Sequence, residues 1–95
     1  MSLICYKNYV DGTYIDNASG ETFDVINPAT GKVIYQVEVA DAQVQEKAIA
    51  SAKLGFETWS AMSATERSRI LLKAVALLHE RNEELAKIEV LDTGK

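Results

Sequence analysis

Two hydrophobic periods divide the chain. Over residues 6–39 apolar and polar positions alternate in short runs separated by turn residues, and from residue 41 onward apolar residues recur every three or four positions. Tyr6, Tyr9, Val10, Tyr14 and Ile15 surround Asp11-Gly12, a dipeptide with easy access to positive φ, so a first hairpin is predicted there. Asn17-Ala18-Ser19-Gly20 reads as a loop. Thr22-Phe23-Asp24-Val25-Ile26 is a short extended run that stops at Asn27-Pro28, where proline drives the preceding residue out of the helical region. Ala29-Thr30-Gly31 completes that turn. From Val33 to Val39 the residues Val33, Tyr35, Val37 and Val39 share one face and Gln36 and Glu38 the other, the period of a half-buried strand.

The second half predicts three helices, at about 41–59, 64–81 and 83–93. Asp41 is placed to cap the first, whose apolar stripe runs through Val44, Ala48, Ala52 and Phe56. Ser63-Ala64-Thr65-Glu66 has capping-box spacing and opens the second, with Ile70, Leu71, Ala74, Val75, Leu77 and Leu78 on a wide apolar face. Asn82 is placed to cap the third, which carries Leu85, Ile88 and Leu91 and stops at Gly94. Strands followed by helices, without internal repeat, define an α+β segment. Three consecutive amphipathic helices need more partner surface than a few short strands offer, so the chain reads as unfinished.

Composition narrows the setting. The 95 residues are 47% hydrophobic and 25% charged, which is globular and enough for one small domain. A net charge of -4 supplies no broad positive field, so nucleic acid is not an expected partner. No apolar run approaches the roughly 20 residues that cross a bilayer. The start Met1-Ser2-Leu3-Ile4-Cys5 is too soon broken by Lys7 for a signal peptide, so a cytoplasmic location is expected; Met1 to Leu3 carry no structural weight.

Candidate chemistry is sparse. Cys5 is the single cysteine, which rules out an internal disulfide, and with only Lys7 nearby in a flexible terminus it reads as an inert thiol. The five glycines lack the spacing of a phosphate cradle. His79 sits between charged and apolar helix residues and reads as solvated. Arg67 and Arg69 lie near a helix start, against its dipole, and invite pairing with Glu66 or with a surface outside this segment. No catalytic and no dinucleotide-binding residue is therefore assigned in this chain. Asp92 is the one polar residue whose position asks for an explanation. It falls seven residues after Leu85, on nearly the same side of the third helix, and at the end where the dipole disfavours negative charge. A cation would relieve both costs; a solvated carboxylate in a frayed last turn is the plainer account.

Several stretches resemble the aldehyde dehydrogenase family, and within it the betaine aldehyde dehydrogenases. They are Tyr9-Val10-Asp11-Gly12-Thr13-Tyr14, the run Thr22 to Ile34 with its Asn27-Pro28-Ala29-Thr30-Gly31 turn, Arg67-Ser68-Arg69-Ile70-Leu71, and the close Leu91-Asp92-Thr93-Gly94-Lys95. The resemblance implies an oligomeric enzyme, expected as a homo-oligomer, that oxidises an aldehyde: a cysteine thiolate attacks it, hydride passes to NAD or NADP, and a glutamate-activated water releases the acid. In the betaine type the substrate is betaine aldehyde and the product the osmoprotectant glycine betaine. The catalytic groups and dinucleotide-binding strands of the family would lie beyond Lys95, so this chain is expected to supply the outer part of the cofactor-binding domain and to be inactive alone. The resemblance also implies a potassium ion held at the positions of Val25, Ile26 and Asp92, together with a carbonyl from a later segment. Val25 and Ile26 would offer backbone oxygens and Asp92 its carboxylate, a hard-oxygen set suited to a weakly bound alkali cation. Two alternatives remain open at this point: an aldehyde dehydrogenase of another substrate, and a non-catalytic interaction module.

Overall fold

Asp11 and Gly12 both take positive φ, 52° and 78°, the backbone of a tight hairpin turn whose twist suits antiparallel strands. They join β2 (Asn8–Val10) to β3 (Thr13–Ile15), with Tyr9 opposite Tyr14 and their rings edge to face at 5.0 Å. In this computed structural model residues 3–95 are described, and Met1 and Ser2 lie outside the described residues. A second sheet holds β4 (Thr22–Ile26) antiparallel to β5 (Val33–Glu38), and β5 in turn runs parallel to the two-residue β1 (Cys5–Tyr6). β5 is thus the central strand.

Two sequence expectations change here. Cys5, read as part of a flexible terminus, is fixed in β1 opposite Gln36, although it stays exposed. A two-residue strand has no period to detect, and its partner lies thirty residues away. The one-sided burial expected of Val33, Tyr35, Val37 and Val39 is also absent, since every residue of β5 is half-buried. Val25 faces Tyr35 while Ile26 faces Val33, so Ile34 is an extra residue in the ladder. Such a bulge breaks the two-residue alternation and bends the strand.

The helices are α1 (Ala42–Ala61), α2 (Ala64–Glu80) and α3 (Asn82–Thr93). Asp41 caps α1 as its spacing predicts, its Oδ1 accepting the Val44 N–H at 3.0 Å. Ser63 caps α2 through the Glu66 N–H at 3.2 Å, one half of the expected capping box. Arg67 does not pair with Glu66: its Nη1 donates to the Met62 carbonyl at 2.6 Å, closing the C-terminal end of α1. The expected Asn82 cap does not form, for Asn82 is already helical and Arg81 stands at the junction without a side-chain bond. The Arg81 N–H still bonds the Leu77 carbonyl, so α2 runs almost unbroken into α3 and leaves no extended residue whose side chain could reach back.

The same Asp41 carboxylate ties the strands to the helices. Its Oδ2 accepts the backbone N–H groups of Ala18 at 2.6 Å and Ser19 at 3.2 Å. Asn17 reinforces the loop by donating to the carbonyls of Glu21 and Val39, at 2.9 and 2.8 Å. Val44, one turn into α1, is the one buried apolar residue among those described.

Little else is covered. The radius of gyration is 17.0 Å against about 13 Å for a compact chain of 100 residues. The surface of 7681 Å² likewise exceeds the roughly 5,400 Å² of a folded monomer of this mass. Phe56, Leu71 and Leu78 are all more than half exposed. Each such side chain forgoes about 1.5–3 kcal/mol of burial, and a handful equals a small domain's whole stability.

Two outcomes follow. Alone in solution the chain is expected to self-associate through these faces, and sedimentation at low concentration checks this; a cooperatively folded monomer there contradicts it. The Asp41 carboxyl is held below its ordinary pKa, first by the Val44 N–H and further by those of Ala18 and Ser19. Its contribution to stability is therefore present above the ordinary value of 3.8 and fades as pH falls through the lowered one. Asp41→Asn is expected to speed amide exchange at Ala18 and Ser19 at neutral pH, and equal rates in variant and parent would refute the tie.

Candidate functional site

The residues singled out for a cation converge on one corner of the larger sheet. Val25 and Ile26 end β4, and Tyr35, the ladder partner of Val25, donates its hydroxyl to Oδ1 of Asp92 at 3.4 Å. Asp92 lies in the last turn of α3, which is brought there by its own terminus. Gly94 takes φ +77°, its N–H bonds the Val90 carbonyl, and its Cα faces the turn after β4. A Cβ at Gly94 would stand 2.9 Å from the Ala29 nitrogen and 3.0 Å from Pro28 Cγ. The turn is itself braced, with Asn27 Oδ1 accepting the Ala29 N–H at 2.9 Å and the Asn27 carbonyl accepting the Gly31 N–H at 2.8 Å.

The donor set can be tested against an alkali cation. The Asn27 N–H donates to the Lys32 carbonyl at 2.9 Å, and the intervening peptide is trans, so the Ile26 carbonyl points the opposite way, off the free edge of β4. The β4–β5 register shifts between Val25 and Ile26, so regular ladder alternation does not set the direction of the Val25 carbonyl. Asp92 is exposed, at the negative end of a helix. Among the described residues no three His, Cys, Asp or Glu side chains converge, so the corner has no transition-metal character. A carbonyl turned off the edge of β4 and one exposed carboxylate are hard-oxygen donors, a set that suits a weakly held alkali ion and needs further oxygen from elsewhere.

Tyr35 was not singled out as a site residue in the sequence. It is half-buried, its ring meets Tyr6 edge to face at 5.1 Å and 84°, and with Ile88 and Leu91 the two rings line a shallow groove of about 340 Å³. Burial, then the neighbouring Asp92 charge, raises the phenol above its usual pKa. The signal for Tyr35 was its position opposite Val25, which becomes readable only with the bulge in place.

The remaining candidates stay apart. His79 is exposed in the last turn of α2, where a basic residue suits the dipole. Arg69 borders a separate open groove with Ala64, Thr65, Ser68 and Leu72. Lys7 pairs with Asp16 at 2.6 Å, on the surface and far from Asp92 in sequence. Nothing in the described residues assembles a nucleophile with a base.

The chain belongs to the aldehyde dehydrogenase family, whose pattern it matches over residues 14–95. Its fold is that of the N-terminal part of the family's NAD-binding domain. It is similar to PnpE crystallised with nicotinamide adenine dinucleotide, at 42% identity and a TM-score of 0.87, over 94% of this chain and 18% of that one. The NAD-dependent aldehyde dehydrogenase of Sinorhizobium meliloti is 40% identical with a TM-score of 0.87, over 99% of this chain and 19% of its own. Betaine aldehyde dehydrogenase of Staphylococcus aureus, in complex with NAD+, is 35% identical with a TM-score of 0.85, over 94% and 18%. The chain thus spans under a fifth of the length of these structures.

Gly94→Ala probes the docking that forms the corner. A left-handed non-glycine residue costs roughly 1–2 kcal/mol, and the new methyl meets backbone it cannot displace. Urea denaturation should show a loss of at least about that size; a variant as stable as its parent would mean that α3 need not close on the turn.

Proposed function

We propose that the chain is the outer part of the cofactor-binding domain of an NAD(P)-dependent aldehyde dehydrogenase, and that the complete subunit oxidises betaine aldehyde to glycine betaine. The observation that carries the enzyme class is the family match over residues 14–95 on a complete strand, turn and three-helix frame. The substrate rests on the likeness to the Staphylococcus aureus enzyme and on the motifs from Tyr9 to Lys95. A second reading, an aldehyde dehydrogenase of another substrate, is favoured by the higher identity to the NAD-dependent aldehyde dehydrogenase of Sinorhizobium meliloti, 40% against 35% for the betaine enzyme. Substrate pockets in either case are built from residues outside this chain.

The role of this chain in such an enzyme is structural and electrostatic. Val25, Ile26 and Asp92 would hold a potassium ion within the subunit, completed by a carbonyl from another segment, and the ion would supply positive charge at the end of α3 where the dipole and Asp92 accumulate negative charge. The complete enzyme is taken to be a cytoplasmic homo-oligomer, without nucleic acid or membrane as partner. No helix here is long and apolar enough to cross a membrane.

Calorimetry of the 95-residue chain with NAD or NADP is expected to show no binding, because neither a glycine-rich cradle nor a nucleophile is in it. In the complete subunit kcat/KM for betaine aldehyde should exceed that for uncharged aldehydes of similar size. A reversed order, with aldehyde oxidation intact, would select the second reading.

A further inference from the structure

We infer that Tyr35 is a positioning residue for the Asp92 carboxylate, one phenol that links the strand beside the carbonyl donors to the helix that carries the charged one. The inference rests on the reading of Val25, Ile26 and Asp92 as a cation site and deepens it.

Three observations carry it. Tyr35 faces Val25 across the ladder, immediately after the Ile34 bulge, so its position is coupled to the end of β4. Its hydroxyl makes, among the described residues, the one side-chain hydrogen bond between α3 and the strands. Its half-buried ring meets the Tyr6 edge and borders the same groove as Ile88 and Leu91 of α3, so the hydroxyl is carried by a ring with a fixed neighbour. Asp92 is exposed and in the last helical turn, and among the described residues no other hydrogen-bond donor restricts its rotamer. At 3.4 Å the bond is long, so it steers the carboxylate and does not bury it. Because the hydroxyl donates to Oδ1, Oδ2 is left for a cation. This is the arrangement by which an outer hydrogen bond orients an ion's ligand, and loss of such a partner typically weakens ion affinity about 10–100-fold.

The test is a potassium titration of melting temperature in the complete subunit, at constant ionic strength with lithium as the replacing ion. Tyr35→Phe is expected to raise the potassium concentration at half-maximal stabilisation about tenfold or more, while the melting temperature without potassium changes little. Asp92→Ala is expected to abolish the response. If Asp92→Ala abolishes it and Tyr35→Phe leaves the midpoint where it was, the positioning role is wrong while the cation reading stands. If the parent itself shows no potassium response, the cation reading fails and this inference falls with it.

Discussion

One carboxylate joins the two halves of this chain. Asp41 stands where the strands end and the helices begin, and its two oxygens face opposite ways, Oδ1 to the first turn of α1 and Oδ2 to the loop before β4. A helix start leaves several amides without partners, and a loop of small residues has the same deficit, so an acceptor shared between them satisfies both. Val44, whose N–H receives that cap, is also the buried apolar residue. Helix initiation, loop anchoring and the beginning of a core are therefore set at the same place. The Lys7–Asp16 pair, exposed on both sides, adds little by comparison.

The other end of the helical run is fixed by sterics instead of charge. Gly94 admits the turn of Asn27 to Ala29 to within a distance no side chain would allow, and the approach carries Asp92 to Tyr35. The chain is thus clamped at two points, at the start of α1 and at the end of α3. Between them α2 touches little, and the Arg67 bond to the Met62 carbonyl is what ties its start to the end of α1. A cation at the Asp92 corner would strengthen the second clamp by binding the folded form alone.

Local chemistry made much of this legible. The Asp11-Gly12 turn, the run from Thr22 to Ile26, the Asp41 and Ser63 caps and the Gly94 stop each depend on a residue's own conformational preference, and each stands where that preference puts it. What escaped were features created by pairing across the chain. β1 exists because β5 offers it an edge, the Ile34 bulge exists because β4 and β5 must both meet a tight turn, and Tyr35 enters the corner only through that bulge. The Asn82 cap failed for a related reason: its assignment assumed a break between α2 and α3, and the backbone ladder continues through Arg81. Of the residues proposed for a cation, Asp92 was conspicuous by its misfit with the dipole, whereas Val25 and Ile26 would act through backbone and carry no side-chain signal of their own.

The open surface has a shape that limits what can cover it. Helical residues advance about 100° each, so Ile70, Leu71, Leu72, Val75, Leu77 and Leu78 occupy an arc of roughly 220° around α2. A single flat partner, such as a second copy of this chain placed by a two-fold axis, reaches about half of a helix's circumference. Self-association would then relieve only part of the exposed area. A helix apolar over more than half its girth belongs inside a domain with layers on two sides of it. That is the environment of a helix against a sheet with further elements behind it, and it agrees with a chain that spans under a fifth of the structures it matches. The two clamps, at Asp41 and at Gly94, fix both ends of the helical run against the strands and leave the girth of α2 open between them.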